Sequence, residues 1–222
     1  MGNTIQLTAA DGHKFSAYRA EPAGKPRGAL IVIMEIFGVN SHIRAVTDDY
    51  AKEGYLAIAP AMFDRVHPGL DIGYTPEDIE VGRAALQKAN LDDAMKDVTA
   101  ALQDVKSAGK VGIIGYCWGG TVAWKAASNV DGLACSIAYY GGGIPNLIGE
   151  KPKVPVQFHW GETDQSIPLE KAKQVAEAHK DQEHYFYPAG HGFNCDQRGS
   201  YNAEASKLAK SRSLEFLRKH IG

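Results

Sequence analysis

Apolar residues along this chain fall into short unbroken runs, separated by longer stretches in which they recur every three or four positions. The run Ala29-Leu30-Ile31-Val32-Ile33-Met34 has no polar interruption, as expected of a strand buried on both faces of a parallel sheet. Similar runs at 55–60, 110–115, 133–140, 154–160 and 183–187 predict five more strands. Between them lie helical patterns. Ser41 is placed to cap a helix reaching Lys52, with Ile43, Val46, Tyr50 and Ala51 on its inner face. Residues 76–107 predict two helices broken near Asn90-Leu91-Asp92, and 121–127 a helix behind the third of these runs. A helix over 168–179 begins at Pro168, and one over 202–220 carries Ala205, Leu208, Ala209, Leu214 and Leu217 as core candidates. Residues 4–20 alternate loosely around Asp11-Gly12, the signature of a β-hairpin. Residues 61–75, with Pro68, Gly69 and Gly73, predict a surface loop. Strand–helix alternation of this kind predicts an α/β fold: a doubly wound, mostly parallel sheet with helices on both faces, as one domain over residues 1–222.

Composition narrows the function more than the fold. A net charge of −2 gives no pull toward nucleic acid or an anionic membrane, and the longest apolar run is too short to span a bilayer. The expected partner is therefore a small molecule, acting on a monomer or weak homodimer. The first six residues show no basic region followed by an apolar stretch, and Cys117, Cys135 and Cys195 form neither a CxxC pair nor an even disulfide set. A reducing cytoplasm is the expected location. His13, His42, His67, His179, His184 and His220 share no ligand spacing, so neither metal nor cofactor is expected.

In doubly wound sheets, chemistry collects at the carboxyl ends of the strands. Three such ends carry reactive side chains. Gly115-Tyr116-Cys117-Trp118-Gly119-Gly120 joins a strand to a helix and has the small-x-nucleophile-x-small form of a nucleophile elbow, with cysteine at its apex. The Trp118 N–H would then point at a forming oxyanion. Taken alone, the hexapeptide fits a small buried cysteine equally well. Asp164 follows the strand at 154–160 and His191, between two glycines, follows the last strand. Either could be structural: aspartate often caps a turn, and loop histidines are commonly solvated. The order nucleophile, acid, histidine, each after a separate strand, is that of the α/β-hydrolases. A thiol near its ordinary pKa is only a few per cent ionised at neutral pH, so His191 would act as its base and Asp164 would orient the imidazole.

Four segments carry a family resemblance: Ile33-Met34-Glu35-Ile36-Phe37-Gly38, the elbow hexapeptide, His159-Trp160-Gly161-Glu162-Thr163-Asp164, and Ala189-Gly190-His191-Gly192-Phe193. Together they resemble the dienelactone hydrolases (carboxymethylenebutenolidases), and the resemblance spans nearly the whole chain. It implies an α/β-hydrolase fold without a large lid, a Cys117–Asp164–His191 triad, and hydrolysis of a carboxylate-bearing enol-lactone without cofactor. It also implies that Glu35 sits near the cysteine and helps to switch the thiol on, and that the Ile36 N–H is the second oxyanion donor. Physically, a carboxylate beside a thiol opposes its ionisation. The family's substrate-carboxylate clamp is less clear. One arginine is expected shortly after the catalytic histidine, where this chain has Asn194-Cys195 and carries its arginine at Arg198. For the second, paired with a tyrosine, the candidates are Tyr74 with Arg83 or Arg65. Tyr140, Trp160 and Phe193 are further candidates for the pocket wall. A ligand-binding protein on a hydrolase scaffold, or a redox thiol using Cys117 and Cys195, are the rival readings.

Overall fold

The computed structural model describes residues 2–222. The hairpin forms as expected: β1 (Asn3–Thr8) runs antiparallel to β2 (Lys14–Ala20). Six more strands follow: β3 (Ala29–Ile33), β4 (Leu56–Pro60), β5 (Val111–Tyr116), β6 (Leu133–Tyr139), β7 (Val156–Gly161) and β8 (Glu183–Tyr187). All eight join one sheet in the order β1-β2-β4-β3-β5-β6-β7-β8. From β4 to β8 every pairing is parallel, and only the hairpin edge is antiparallel. The chain therefore has the doubly wound α/β architecture read from its pattern.

The unbroken apolar runs are explained by depth. Every residue of β3, β4 and β5 is buried, because these strands lie mid-sheet with helices on both sides. At the β8 edge most residues are only half-buried, and its sequence is correspondingly polar.

Helices α1 (Ser41–Lys52), α2 (Pro76–Lys88), α3 (Leu91–Val105), α4 (Trp118–Asn129), α5 (Leu169–Ala178) and α6 (Ala203–His220) fill the connections. The helical region before β5 does break at Asn90, whose side chain caps α3 by accepting from the Asp92 and Asp93 N–H groups. The cap of α1 is Asn40 rather than Ser41: Asn40 accepts from the Ile43 N–H, and its Nδ2 donates to Ile72 O and Tyr74 Oη, both at 3.0 Å. The Ser41 hydroxyl instead donates to Gln197. Pro168 stands just before α5, which starts at Leu169, and makes no side-chain capping bond, so it is not in the first turn as expected. On α6 the buried stripe is Ala205, Ala209, Ser213, Phe216 and Leu217; Leu208 falls on its flank and is 47% exposed, which corrects its assignment to the core.

Register brings the site together. Ile33 pairs with Gly115, Tyr116 with Tyr139, Tyr139 with His159, and Gly161 with Tyr187. The loops that leave β3, β5, β6, β7 and β8 thus start side by side at one end of the sheet. No helix among the described residues is long and apolar enough to cross a membrane.

Candidate active site

Cys117 sits at the apex of the turn between β5 and α4, with φ 55° and ψ −119°. Non-glycine residues rarely adopt positive φ, and the turn is packed closely on both sides of Cys117. A Cβ on Gly119 would lie 2.5 Å from the Ile33 carbonyl oxygen and 2.6 Å from that of Met34. Glycine there lets α4 rest directly on the end of β3. The Cys117 N–H donates to Tyr139 O at 3.0 Å, tying the apex to β6 as well.

The other two members arrive as their strand positions require. His191 Nε2 lies 3.1 Å from Cys117 Sγ, and its Nδ1 lies 2.8 Å from Asp164 Oδ2. Asp164 is fully buried, and its second oxygen, Oδ1, accepts from the N–H groups of Ser166 (2.7 Å) and Ile167 (3.1 Å). One Asp164 oxygen thus caps the turn and the other meets the imidazole. Because an ionised carboxylate only accepts, Nδ1 carries a proton and Nε2 faces the thiol. Burial works against a charge on His191, but the Cys117 and Asp164 charges and hydrogen bonds outweigh it, and the imidazole pKa is raised. Gly192, at φ 76°, leaves room where a Cβ would strike the Arg198 guanidinium.

Glu35, at the exit of β3, is 1% exposed in its side chain. Its Oε1 accepts from Arg198 Nη1 at 3.1 Å, while Oε2 is buried without a partner. The Arg198 guanidinium also lies over the rings of Phe37 (5.5 Å) and Tyr74 (5.9 Å), a placement that suits a cation held among aromatic faces. Next in the chain to Glu35 is Ile36. Neither the Ile36 N–H nor the Trp118 N–H, first in α4, donates to a backbone carbonyl among the described residues. An unspent N–H at the start of a helix is what helix geometry provides.

The remaining candidates divide. Tyr74, Tyr140 and Arg198 come together with the triad and Glu35. Phe193 is buried behind them, against Tyr139, Tyr140 and Tyr187. Arg65 does not: both faces of its guanidinium are spent, on buried Asp97 (2.7 and 2.9 Å) and on Asp11 (3.0 and 3.2 Å). Arg83 lies exposed on α2, paired with Glu80 one turn away. Trp160 packs on Phe158 and donates to His184 through Nε1, a structural role on its strand. Of the candidate arginines, the structure brings only Arg198 to the site.

Two residues unmarked by the sequence complete the arrangement. Phe37 forms the aromatic floor under Arg198, and Asn40 positions the Tyr74 hydroxyl while capping α1. Phe37 lay within a quoted motif; the second task of Asn40 has no sequence signal.

Cys135 is buried, and burial pushes its thiol up to about 12, which leaves it unreactive. Burial, with the nearby Glu35 charge, likewise raises Cys195 to about 11, which makes it a poor attacking thiolate for any redox pairing with Cys117. The fold does bring one donor set together that linear spacing did not reveal. Ligating atoms of His42, Cys195 and Asp196 lie within 4.8 Å of one another, with the Asp196 carboxylate on His42 Nδ1 at 3.1 Å.

Comparison with known proteins identifies relatives. The sequence profile of the dienelactone hydrolase family matches residues 15–221. A carboxymethylenebutenolidase from Pseudomonas putida is 32% identical over 96% of this chain and 94% of its own. A Synechocystis protein, provisionally named carboxymethylenebutenolidase, is 39% identical over 87% of each chain. Among solved structures, a Klebsiella pneumoniae chain provisionally named a dienelactone hydrolase superposes with a TM-score of 0.84 at 28% identity, covering 98% of this chain and 100% of its own.

Proposed function

The chain belongs to the dienelactone hydrolase family, and we propose that it hydrolyses a lactone or carboxylic ester of the dienelactone type through a thioester on Cys117. The observation that carries this reading is the continuous line Cys117 Sγ, His191 Nε2, His191 Nδ1, Asp164 Oδ2, with contacts of 3.1 and 2.8 Å.

His191 takes the thiol proton as Sγ attacks the carbonyl carbon. The carbonyl oxygen becomes an oxyanion, stabilised by the Ile36 and Trp118 N–H groups. Collapse breaks the ring C–O bond, and His191 returns the proton to the departing oxygen, which in a lactone stays tethered to the acyl group. Water then attacks the thioester, His191 receives its proton, and the C–S bond breaks to regenerate the thiol. Asp164 keeps the imidazole in the useful tautomer throughout and stabilises the imidazolium.

Glu35 and Arg198 supply the control. In the resting site the Glu35 carboxylate is paired with Arg198. A substrate carboxylate of the 4-carboxymethylenebut-2-en-4-olide kind would compete for Arg198 and release Glu35.

The test is turnover of that dienelactone and of a neutral aryl acetate, before and after alkylation with iodoacetamide. Loss of both activities, with the label on Cys117 by peptide mass, is the expected result. Full turnover by protein alkylated at Cys117 would remove the thiol from the mechanism.

A further inference from the structure

The start of α1 and the loop between His191 and α6 meet away from the triad. Ser41 donates to Gln197 at 2.8 Å, and His42 Nδ1 lies 3.1 Å from Asp196 Oδ1. Cys195, one position before Asp196, is fully buried, and ligating atoms of all three residues His42, Cys195 and Asp196 lie within 4.8 Å of one another. The triad uses none of the three.

The donor set is an imidazole nitrogen, a sulfur and a carboxylate oxygen, the combination that suits zinc and not the oxygen-seeking magnesium or calcium. Around tetrahedral zinc, neighbouring N, O and S ligand atoms stand about 3.3–3.6 Å apart. His42 Nδ1 and Asp196 Oδ1 are close to that spacing already, and the sulfur has at most about 1.3 Å to close. The Asp196 side chain is 67% exposed, so it can adjust without disturbing the core. His42 is buried, and its Nε2 has no partner, so no protein hydrogen bond fixes the imidazole tautomer. With the proton on Nε2, Nδ1 is left with a lone pair to give. A cation between Nδ1 and the Asp196 carboxylate satisfies both.

Access is provided from solvent. His42, Asn194 and Asp196 form one wall of a cleft of about 310 Å³ between α1 and α6. The cleft carries Asp49 and Asp196 against Lys207 and Lys210, and Lys210 is already paired with Asp49 at 3.3 Å. Water from this cleft can take the fourth position on the ion.

We propose that His42, Cys195 and Asp196 form a zinc site that fastens the loop beyond His191 to the first turn of α1. As the S–Zn bond forms, the Cys195 thiol proton is released to solvent, because a coordinating thiol is deprotonated. The Cys195 N–H donates to Gly192 O at 3.0 Å, and its carbonyl accepts from the Arg198 N–H at 3.2 Å. A metal on this sulfur therefore holds the stretch that carries both His191 and Arg198.

The experiment measures zinc affinity against a chelating dye, with magnesium in excess, and the absorption of the cobalt(II)-loaded protein. Cys117 and His191 are a second cysteine–histidine pair, so each measurement is made in wild type and in Cys117→Ala. One zinc per chain is expected in both, with a cobalt–thiolate charge-transfer band and a urea midpoint that rises with zinc. Cys195→Ser and Asp196→Asn should each weaken zinc at least about tenfold, and Cys195→Ser should abolish the band. Asp196→Asn changes an exposed side chain, so its result does not depend on repacking the core. No zinc binding would overturn the proposal. So would either variant binding zinc as wild type does, or an ion lost in Cys117→Ala, which would belong to the triad.

Discussion

Arg198 Nη1 lies 3.1 Å from Glu35 Oε1, although 163 positions separate the two residues in the chain. The pair joins the exit of β3 to the loop beyond His191. Removing one partner of a buried ion pair leaves the other charge uncompensated, at a cost of about 3–5 kcal/mol. Because Arg198 is partly exposed, water offsets some of that cost. Arg198→Met should therefore lower stability in urea by a few kcal/mol at most, about 3. It should also lower kcat/KM far more for the carboxylate-bearing lactone than for a neutral aryl acetate. Equal losses on both substrates would show that Arg198 does not read the substrate anion.

Cys117→Ala should abolish lactone and ester hydrolysis while leaving the fold intact. His191→Ala and Asp164→Asn should each cost about 10⁴-fold or more in rate. Added to Cys117→Ala, neither should cost anything further, because residues that act as one unit fail together. Steady-state rates of the single and double variants check this, and losses that simply multiply would separate the three residues.

The contacts of His191 with Cys117 and, after it, Asp164 set a pH dependence. The folded His191 pKa is raised above its ordinary value. Its contribution to stability is then fully present below the unfolded pKa of about 6.5 and is lost as pH rises through the folded value. Wild type should lose stability relative to His191→Gln as pH climbs from neutral into the alkaline range. Asp164→Asn should bring the imidazole titration down when followed by NMR. An imidazole that titrates unchanged in Asp164→Asn would mean that the carboxylate does not govern its charge.

Arg65 belongs to stability rather than to catalysis. It bridges Asp97, whose side chain is 1% exposed, and Asp11 on the hairpin turn. Arg65→Met should destabilise the protein by about 3–5 kcal/mol, since Asp97 would stay buried without its counter-charge. Where the variant remains folded, kcat/KM should be within about twofold of wild type, a difference of a few tenths of a kcal/mol. Urea unfolding and steady-state kinetics on one preparation check both halves.

The contrast between Arg65 and Arg198 shows where sequence reading ends. The triad candidates were legible because each lies within four residues of a strand's end, and strand ends in a parallel sheet converge whatever their separation in sequence. Hydrophobic runs fixed those strands to within two residues, since burial on both faces admits few polar positions. An arginine on a loop carries no such signal. Arg65 and Arg198 look alike until the fold spends one on Asp97 and offers the other to Glu35. Asn40 likewise outcompeted Ser41 as the cap of α1, because its amide could also reach Ile72 and Tyr74, contacts that form only in the tertiary structure. Leu208 was misjudged by a single position of helical phase.

The contact of Gly119 with the Ile33 and Met34 carbonyls bears on how such an enzyme changes over time. It fixes the Cys117 turn against the strand that leads to Glu35 and Ile36, main chain against main chain, with no side chain between them. The surroundings of Glu35 and His191, by contrast, are side chains: Phe37 and Tyr74 under Arg198, and Tyr140 against the imidazole. Substitutions there can reshape what meets the turn while the main-chain contact beneath Cys117 stays as it is. Chemistry and substrate preference are thus heritable separately, and a lineage built on this turn can change what it hydrolyses without relearning how.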